Sequence, residues 1–139
     1  MVEIGKINKL TVLKHVDFGA YIDGGEDGEI LLPKKEMPKD CAVGAQVDVF
    51  IYYDSEDRII ASGIKPLACV GEFAVLKVVS LDSVGAFLEW GLRKHLFLPY
   101  AEQSRDIEVG EEIIVFVYLD KTSRIAASMR LERNIEKAP

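Results

Sequence analysis

The stretch Asp17-Phe18-Gly19-Ala20-Tyr21-Ile22-Asp23 returns as Ser83-Val84-Gly85-Ala86-Phe87-Leu88-Glu89, and that return limits the possible folds more than any other feature. Tyr21 falls on one side and Ile22 on the other, the period-2 signature of a strand. A glycine ahead of the alternation lets the backbone bend sharply or take positive φ, as a curved barrel strand requires. Both stretches belong to one register that runs the length of the chain. At an offset of 66 residues Gly5 meets Gly71, Leu32-Pro33 meets Leu98-Pro99, Glu36 meets Glu102 and Asp40 meets Asp106. The same offset carries Val43-Gly44 onto Val109-Gly110, Val49-Phe50 onto Val115-Phe116, Tyr52 onto Tyr118, Asp54 onto Asp120, Arg58 onto Arg124 and Ala61-Ser62 onto Ala127-Ser128. About sixteen identities in one register mark a tandem duplication rather than two β segments alike by composition.

Each half reads as five strands. In the first they are expected over Ile4–Leu13, Gly19–Asp23, Gly28–Leu32, Gln46–Tyr53 and Arg58–Ile64. The second repeats them over Gly71–Val79, Ala86–Trp90, Lys94–Leu98, Glu112–Leu119 and Arg124–Met129. Asp23-Gly24-Gly25-Glu26-Asp27-Gly28 and Asp54-Ser55-Glu56-Asp57 are turn sequences. Pro33-Lys34-Lys35-Glu36-Met37-Pro38, bounded by prolines, predicts a 3₁₀ turn or short helix between the third and fourth strands. Val47, Val49 and Ile51 alternate with Asp48 and Phe50, which leaves Phe50 on the less buried side or in a second cluster. Five strands with a helical turn between the third and fourth predict an all-β protein of two tandem five-stranded Greek-key barrels, the OB-fold, over residues 1–66 and 67–139. Lys65-Pro66-Leu67-Ala68 is a short, proline-stiffened joint, so the barrels are expected to touch. Small-angle scattering should then give one compact particle, and two independently tumbling barrels would refute that expectation.

A hydrophobic fraction of 49% is ample for a core, and no apolar run approaches a membrane span. The opening Met1-Val2-Glu3-Ile4-Gly5-Lys6 lacks a signal-peptide layout, and two cysteines, Cys41 and Cys69, make no disulfide framework. A cytoplasmic protein without membrane association is expected. Net charge is −6, and the acid excess is shared: 8 basic against 12 acidic residues before the joint, 9 against 11 after it. Affinity for phosphate must therefore come from local clusters and be weak. No nucleophile–base pair, metal-ligand cluster or phosphate-binding glycine loop stands out, so neither enzyme activity, a cofactor nor a metal is expected.

The motifs carry a resemblance. An opening glycine, an aromatic-Gly-Ala-aromatic second strand, a glycine-led third strand, a Val-Gly before the fourth and an Asp…Arg…Ser ending occur here as Gly5, Phe18-Gly19-Ala20-Tyr21, Gly28, Val43-Gly44, Asp54, Arg58 and Ser62. The second copy reads Gly71, Val84-Gly85-Ala86-Phe87, Val109-Gly110, Asp120, Arg124 and Ser128. Each half thus resembles the S1 RNA-binding domain, named after the large ribosomal protein in which it is repeated. Gly28-Glu29-Ile30-Leu31-Leu32-Pro33 and Leu96-Phe97-Leu98-Pro99 also make the tandem similar to the N-terminal part of the conserved virulence factor B family. That likeness implies a bacterial protein and, as partners in a longer chain, further S1-like and winged-helix domains, neither of which this chain contains.

The S1 resemblance implies single-stranded RNA as partner, held by second-strand aromatics, a third-strand histidine and an Asp and Arg around the last turn. The first copy offers Phe18, Tyr21, Asp54 and Arg58, with Leu31 at the histidine position; the second offers Phe87, Asp120 and Arg124, with Val84 in place of one aromatic and Phe97 at the histidine position. From the residues themselves, Phe18 and Tyr21 suit base stacking or packing, and Phe87 and Phe97 suit stacking or an interdomain contact. Lys14, Lys34, Lys35 and Arg58 suit phosphate contact or a solvated face, as do Arg93, Lys94 and His95. With both aromatics kept, the first copy is expected to dominate. The competing expectation is a protein-interaction or scaffold module that uses the same faces.

Overall fold

The structure, a computed structural model, describes residues 2–134. The chain divides between Lys65 and Pro66 into two compact units. In the first, β1 (Ile7–Val16), β2 (Gly19–Asp23), β3 (Glu29–Pro33), β4 (Gln46–Tyr53) and β5 (Ile59–Ser62) close a barrel in the order β1-β2-β3-β5-β4. In the second, β6 (Phe73–Leu81), β7 (Gly85–Glu89), β8 (Leu96–Pro99), β9 (Glu112–Leu119) and β10 (Ile125–Ser128) repeat that order. One four-residue helix, α1 (Leu131–Asn134), follows β10. Each barrel is the expected OB-fold, antiparallel except where the third strand meets the fifth in parallel.

Alternation explains the cores. Ala20 and Ile22 of β2, Ile30 and Leu32 of β3, and Val47, Val49 and Ile51 of β4 turn inward and are buried with Val12 and Ala61. Ala86, Leu88, Leu96, Leu98, Val115 and Val117 are buried at the equivalent positions of the second barrel. Phe50 is fully buried and stacks on Tyr52 at 5.8 Å and 29°, so it joins a second cluster rather than the less buried side. Cys41 and Cys69 are buried and form no disulfide.

Several strand bounds differ from the sequence expectation: β5 and β10 are shorter at both ends, β6 is shifted two residues later and β7 one residue earlier. β1 starts three residues later than the apolar alternation predicts and continues through the polar Lys14 and His15 to pair with β2. Its pairing shifts between Val12 and Lys14, a bulge that lets one long strand bend around the barrel, and β6 has the same shift between Val78 and Ser80. The third strands also start late, at Glu29 and Leu96, because the residues before them close the preceding loop. The proline-bounded segment after β3 is a 3₁₀ turn, Lys34–Glu36, matched by Tyr100–Glu102.

At Gly19 and Gly85 the fold requires glycine. Their φ angles are +151° and +157°, and an added Cβ would lie 2.2 Å from the Leu32 carbonyl oxygen and 2.5 Å from that of Leu98. The second strand is thereby drawn tightly against the third, which sets the spacing of the side chains on the barrel's outer face.

Candidate nucleic-acid interface

The outward residues of the second, third and fifth strands form one row in each barrel. Register places Tyr21 beside Leu31 and Leu31 beside Ile60; in the second copy Phe87 lies beside Phe97 and Phe97 beside Ala126. Duplication therefore yields two comparable faces, and the side chains on them differ.

In the first barrel Phe18 sits in the β1–β2 turn, 57% exposed, while Tyr21 is half-buried on β2. Their ring centroids are 6.3 Å apart and the planes cross at 88°, so the rings share no flat surface. The Lys14 ammonium stands 5.3 Å from the Tyr21 ring centroid and 3.4 Å from a Glu29 oxygen. Lys34 donates its backbone N–H to the Phe18 carbonyl at 3.0 Å, which brings the exposed Lys34 and Lys35 beside the turn. Arg58 pairs with Asp54 at 3.1 Å and Glu56 at 2.5 Å.

In the second barrel Phe87 and Phe97 lie 5.4 Å apart, tilted by only 37°. With Val84, Lys94, His95, Asp120, Arg124 and Ile125 they line a cleft of about 460 Å³. Six of the residues expected from sequence meet there: Phe87, Lys94, His95, Phe97, Asp120 and Arg124. Arg93 is exposed on the same β7–β8 loop but does not line the cleft. That loop is pegged from below: Trp90 is buried and donates its indole N–H to the Lys94 carbonyl at 2.6 Å, and Leu92 is buried beside it in sequence. His95 pairs with Glu89 at 3.6 Å and shares the outward side of the strand with Phe97, two residues on. Val84, Ile125 and the role of Trp90 escape a search for aromatic and charged residues. Only the shared register, with Val84 opposite the exposed Phe18, marks the first of them.

Asp54 and Asp120 hold the turns that carry Arg58 and Arg124. Asp54 accepts the backbone N–H groups of Glu56 and Arg58, each at 2.9 Å; Asp120 accepts those of Thr122 at 2.8 Å and Arg124 at 3.0 Å. Burial pushes both carboxyls up, but these bonds, with the arginine side chain at Asp54 and the Thr122 hydroxyl at Asp120, outweigh it and leave both below the ordinary carboxylate value. A depressed value in the fold means stability fully present above about pH 4 and lost as acid protonates the group. Asp120→Ala should lower unfolding stability by about 1–2 kcal/mol at pH 7. In urea titrations the gap from the parent should narrow toward pH 3 or so.

Among the described residues no group of histidine, cysteine and carboxylate side chains could hold a metal, and no helix is long and apolar enough to cross a membrane. The fold and its two ring-bearing faces define a tandem OB-barrel protein. The chain belongs to the S1 domain family, whose pattern matches residues 4–63 and again 70–130. It is 35% identical to the uncharacterized protein YitL of Bacillus subtilis (strain 168) over 86 residues, covering 61% of this chain and 28% of that one. It is 21% identical to conserved virulence factor B of Staphylococcus saprophyticus over 140 residues, 96% of this chain and 47% of the relative. The crystal structure of a multidomain protein with nucleic acid binding domains from Streptococcus pneumoniae superposes with a TM-score of 0.77 at 18% identity, covering 96% of this chain and 48% of that chain. The chain thus spans about half the length, or less, of each of these relatives.

Proposed function

We propose that the chain binds single-stranded RNA, weakly, by stacking bases on the outward rings of its OB barrels and holding phosphates with nearby cations. The observation that carries this is the second-barrel cleft, where two adjacent rings, 5.4 Å apart and tilted by 37°, meet Lys94 and Arg124. Bases stack on aromatic faces without regard to sequence, and a few cations suffice to follow a backbone. Weakness follows from the net charge of −6, which opposes any polyanion outside the cleft. S1-family membership and the nucleic acid binding domains of the Streptococcus pneumoniae relative support the same function. Under this proposal the chain is a cytoplasmic binding module without catalysis. In a longer protein, further S1-like and winged-helix domains would adjoin it.

The test is a fluorescence titration with a short oligonucleotide at two salt concentrations. Two or three phosphate contacts give a log–log slope of about −1.5 to −2. Absent or salt-insensitive binding would favour a protein-interaction module. The first face lends that alternative specific support, because its Arg58 is already matched by two carboxylates.

A further inference from the structure

We infer that RNA binding belongs to the second barrel, and that the first barrel's matching face turns a polyanion away. This rests on the RNA proposal above and deepens it, because it sorts two faces that duplication made alike.

Charge in the two loops flanking each face separates them. In the first barrel the β2–β3 segment from Asp23 to Glu29 carries four carboxylates and no cation. Its counterpart from Glu89 to His95 carries one carboxylate with Arg93, Lys94 and a histidine. The β4–β5 turn repeats the contrast: Asp54-Ser55-Glu56-Asp57-Arg58 against Asp120-Lys121-Thr122-Ser123-Arg124. Here three carboxylates face one guanidinium, while there one carboxylate is set among two cations. Phosphate oxygens approaching the first face meet a net negative rim.

Two of the cations on the first face are paired with carboxylates. Lys14 is drawn to Glu29 and covers the Tyr21 ring, so a base stacking on Tyr21 must displace it. Arg58 is bracketed by Asp54 and Glu56. Lys34 and Lys35 stay exposed at the Gly19–Pro33 end of the β2–β3 pair, the end away from the Asp23–Glu29 loop. In the second barrel Asp120 accepts the backbone N–H groups of Thr122 and Arg124 and the Thr122 hydroxyl and also attracts the Arg124 side chain, while Lys121 and Thr122 stand where the first turn has Ser55 and Glu56. The same ring-bearing row thus lies in two opposite fields.

The experiment measures affinity of the full chain for a labelled oligouridylate of about four nucleotides, near the smallest site of one OB barrel. Lys94→Ala with Arg124→Ala should weaken binding about tenfold or more at low salt. A graft of the second tip onto the first barrel, Ser55→Lys with Glu56→Thr and Asp57→Ser, should strengthen binding several-fold. Asp57 and Ser123 already share a left-handed backbone, at φ +61° and +64°, so the graft suits the turn. Melting curves confirm that each variant folds. A parent chain that binds no oligonucleotide overturns the RNA proposal and this one with it. Binding that is present but falls as much on Phe18→Ala with Tyr21→Ala as on the Lys94 and Arg124 pair overturns the allocation alone.

Discussion

Replacing Phe87 and Phe97 together by alanine is expected to lower affinity for single-stranded RNA at least thirtyfold or so, and to the edge of detection if both rings carry a full stack. Each base–ring stack contributes about 1–3 kcal/mol, and every 1.4 kcal/mol or so is tenfold in binding. The rings are half-buried, 5.4 Å apart and tilted by 37°, cross-strand neighbours that both line the cleft. Their mutual contact also steadies the barrel by about 0.5–1.5 kcal/mol, so the double variant should melt slightly lower. Phe97→Tyr separates the two effects, because it keeps the flat face and should keep most of the binding. Phe18→Ala with Tyr21→Ala should cost less, since those rings meet at 88° and Lys14 lies over one of them. Counting aromatics alone leads to the opposite ranking. A count registers how many rings a strand carries but not their relative planes.

The second large effect is on stability. Gly19→Ala and Gly85→Ala should each destabilise their own barrel by roughly 3 kcal/mol or more, a large part of the 5–15 kcal/mol or so that holds a typical domain. The added methyl would meet the backbone oxygen of Leu32 at 2.2 Å or Leu98 at 2.5 Å, and neither oxygen moves without disturbing the ladder between second and third strands. Gly28→Ala and Gly110→Ala are the controls. Their φ angles are +75° and +93°, yet nothing lies within 4 Å of an added Cβ, so only the left-handed penalty of about 1–2 kcal/mol applies. Urea titration of the four variants separates close approach from backbone preference.

Fold and site were legible to different depths. β2, β4 and β9 begin and end where the alternation and their flanking turns place them, because a half-buried strand writes its period directly into the chain. β1 was harder to bound. Lys14 and His15, just before its last residue Val16, are polar and exposed, so nothing in their hydropathy distinguishes strand from loop. Asp54 and Asp120 were readable as turn-holders from the Asp-x-x-x-Arg spacing, and their bonds to the backbone N–H groups are those of such turns. The cleft was legible only in part. Phe87, Lys94, Phe97 and Arg124 come from four separate loops and strands, and what joins them is the closure of the barrel. The bond from Trp90 to the Lys94 carbonyl, which shapes the loop beneath the cleft, depends on geometry that no spacing rule conveys.

The closure itself has one further consequence. Each barrel is sealed between its third and fifth strands by a single register pair, Leu31 with Ile60 and Phe97 with Ala126. Parallel pairing is the weaker kind, and so short a seam is where a closed sheet should unzip first. In the second barrel the cleft bridges that seam, with Phe97 on one lip and Arg124 and Ile125 on the other. A strand lying across it acts as a stitch. Amide protons of β8 and β10 should therefore exchange more slowly once RNA is added, while those of β3 and β5 keep their pace, so that hydrogen exchange reads out which barrel is occupied without any substitution.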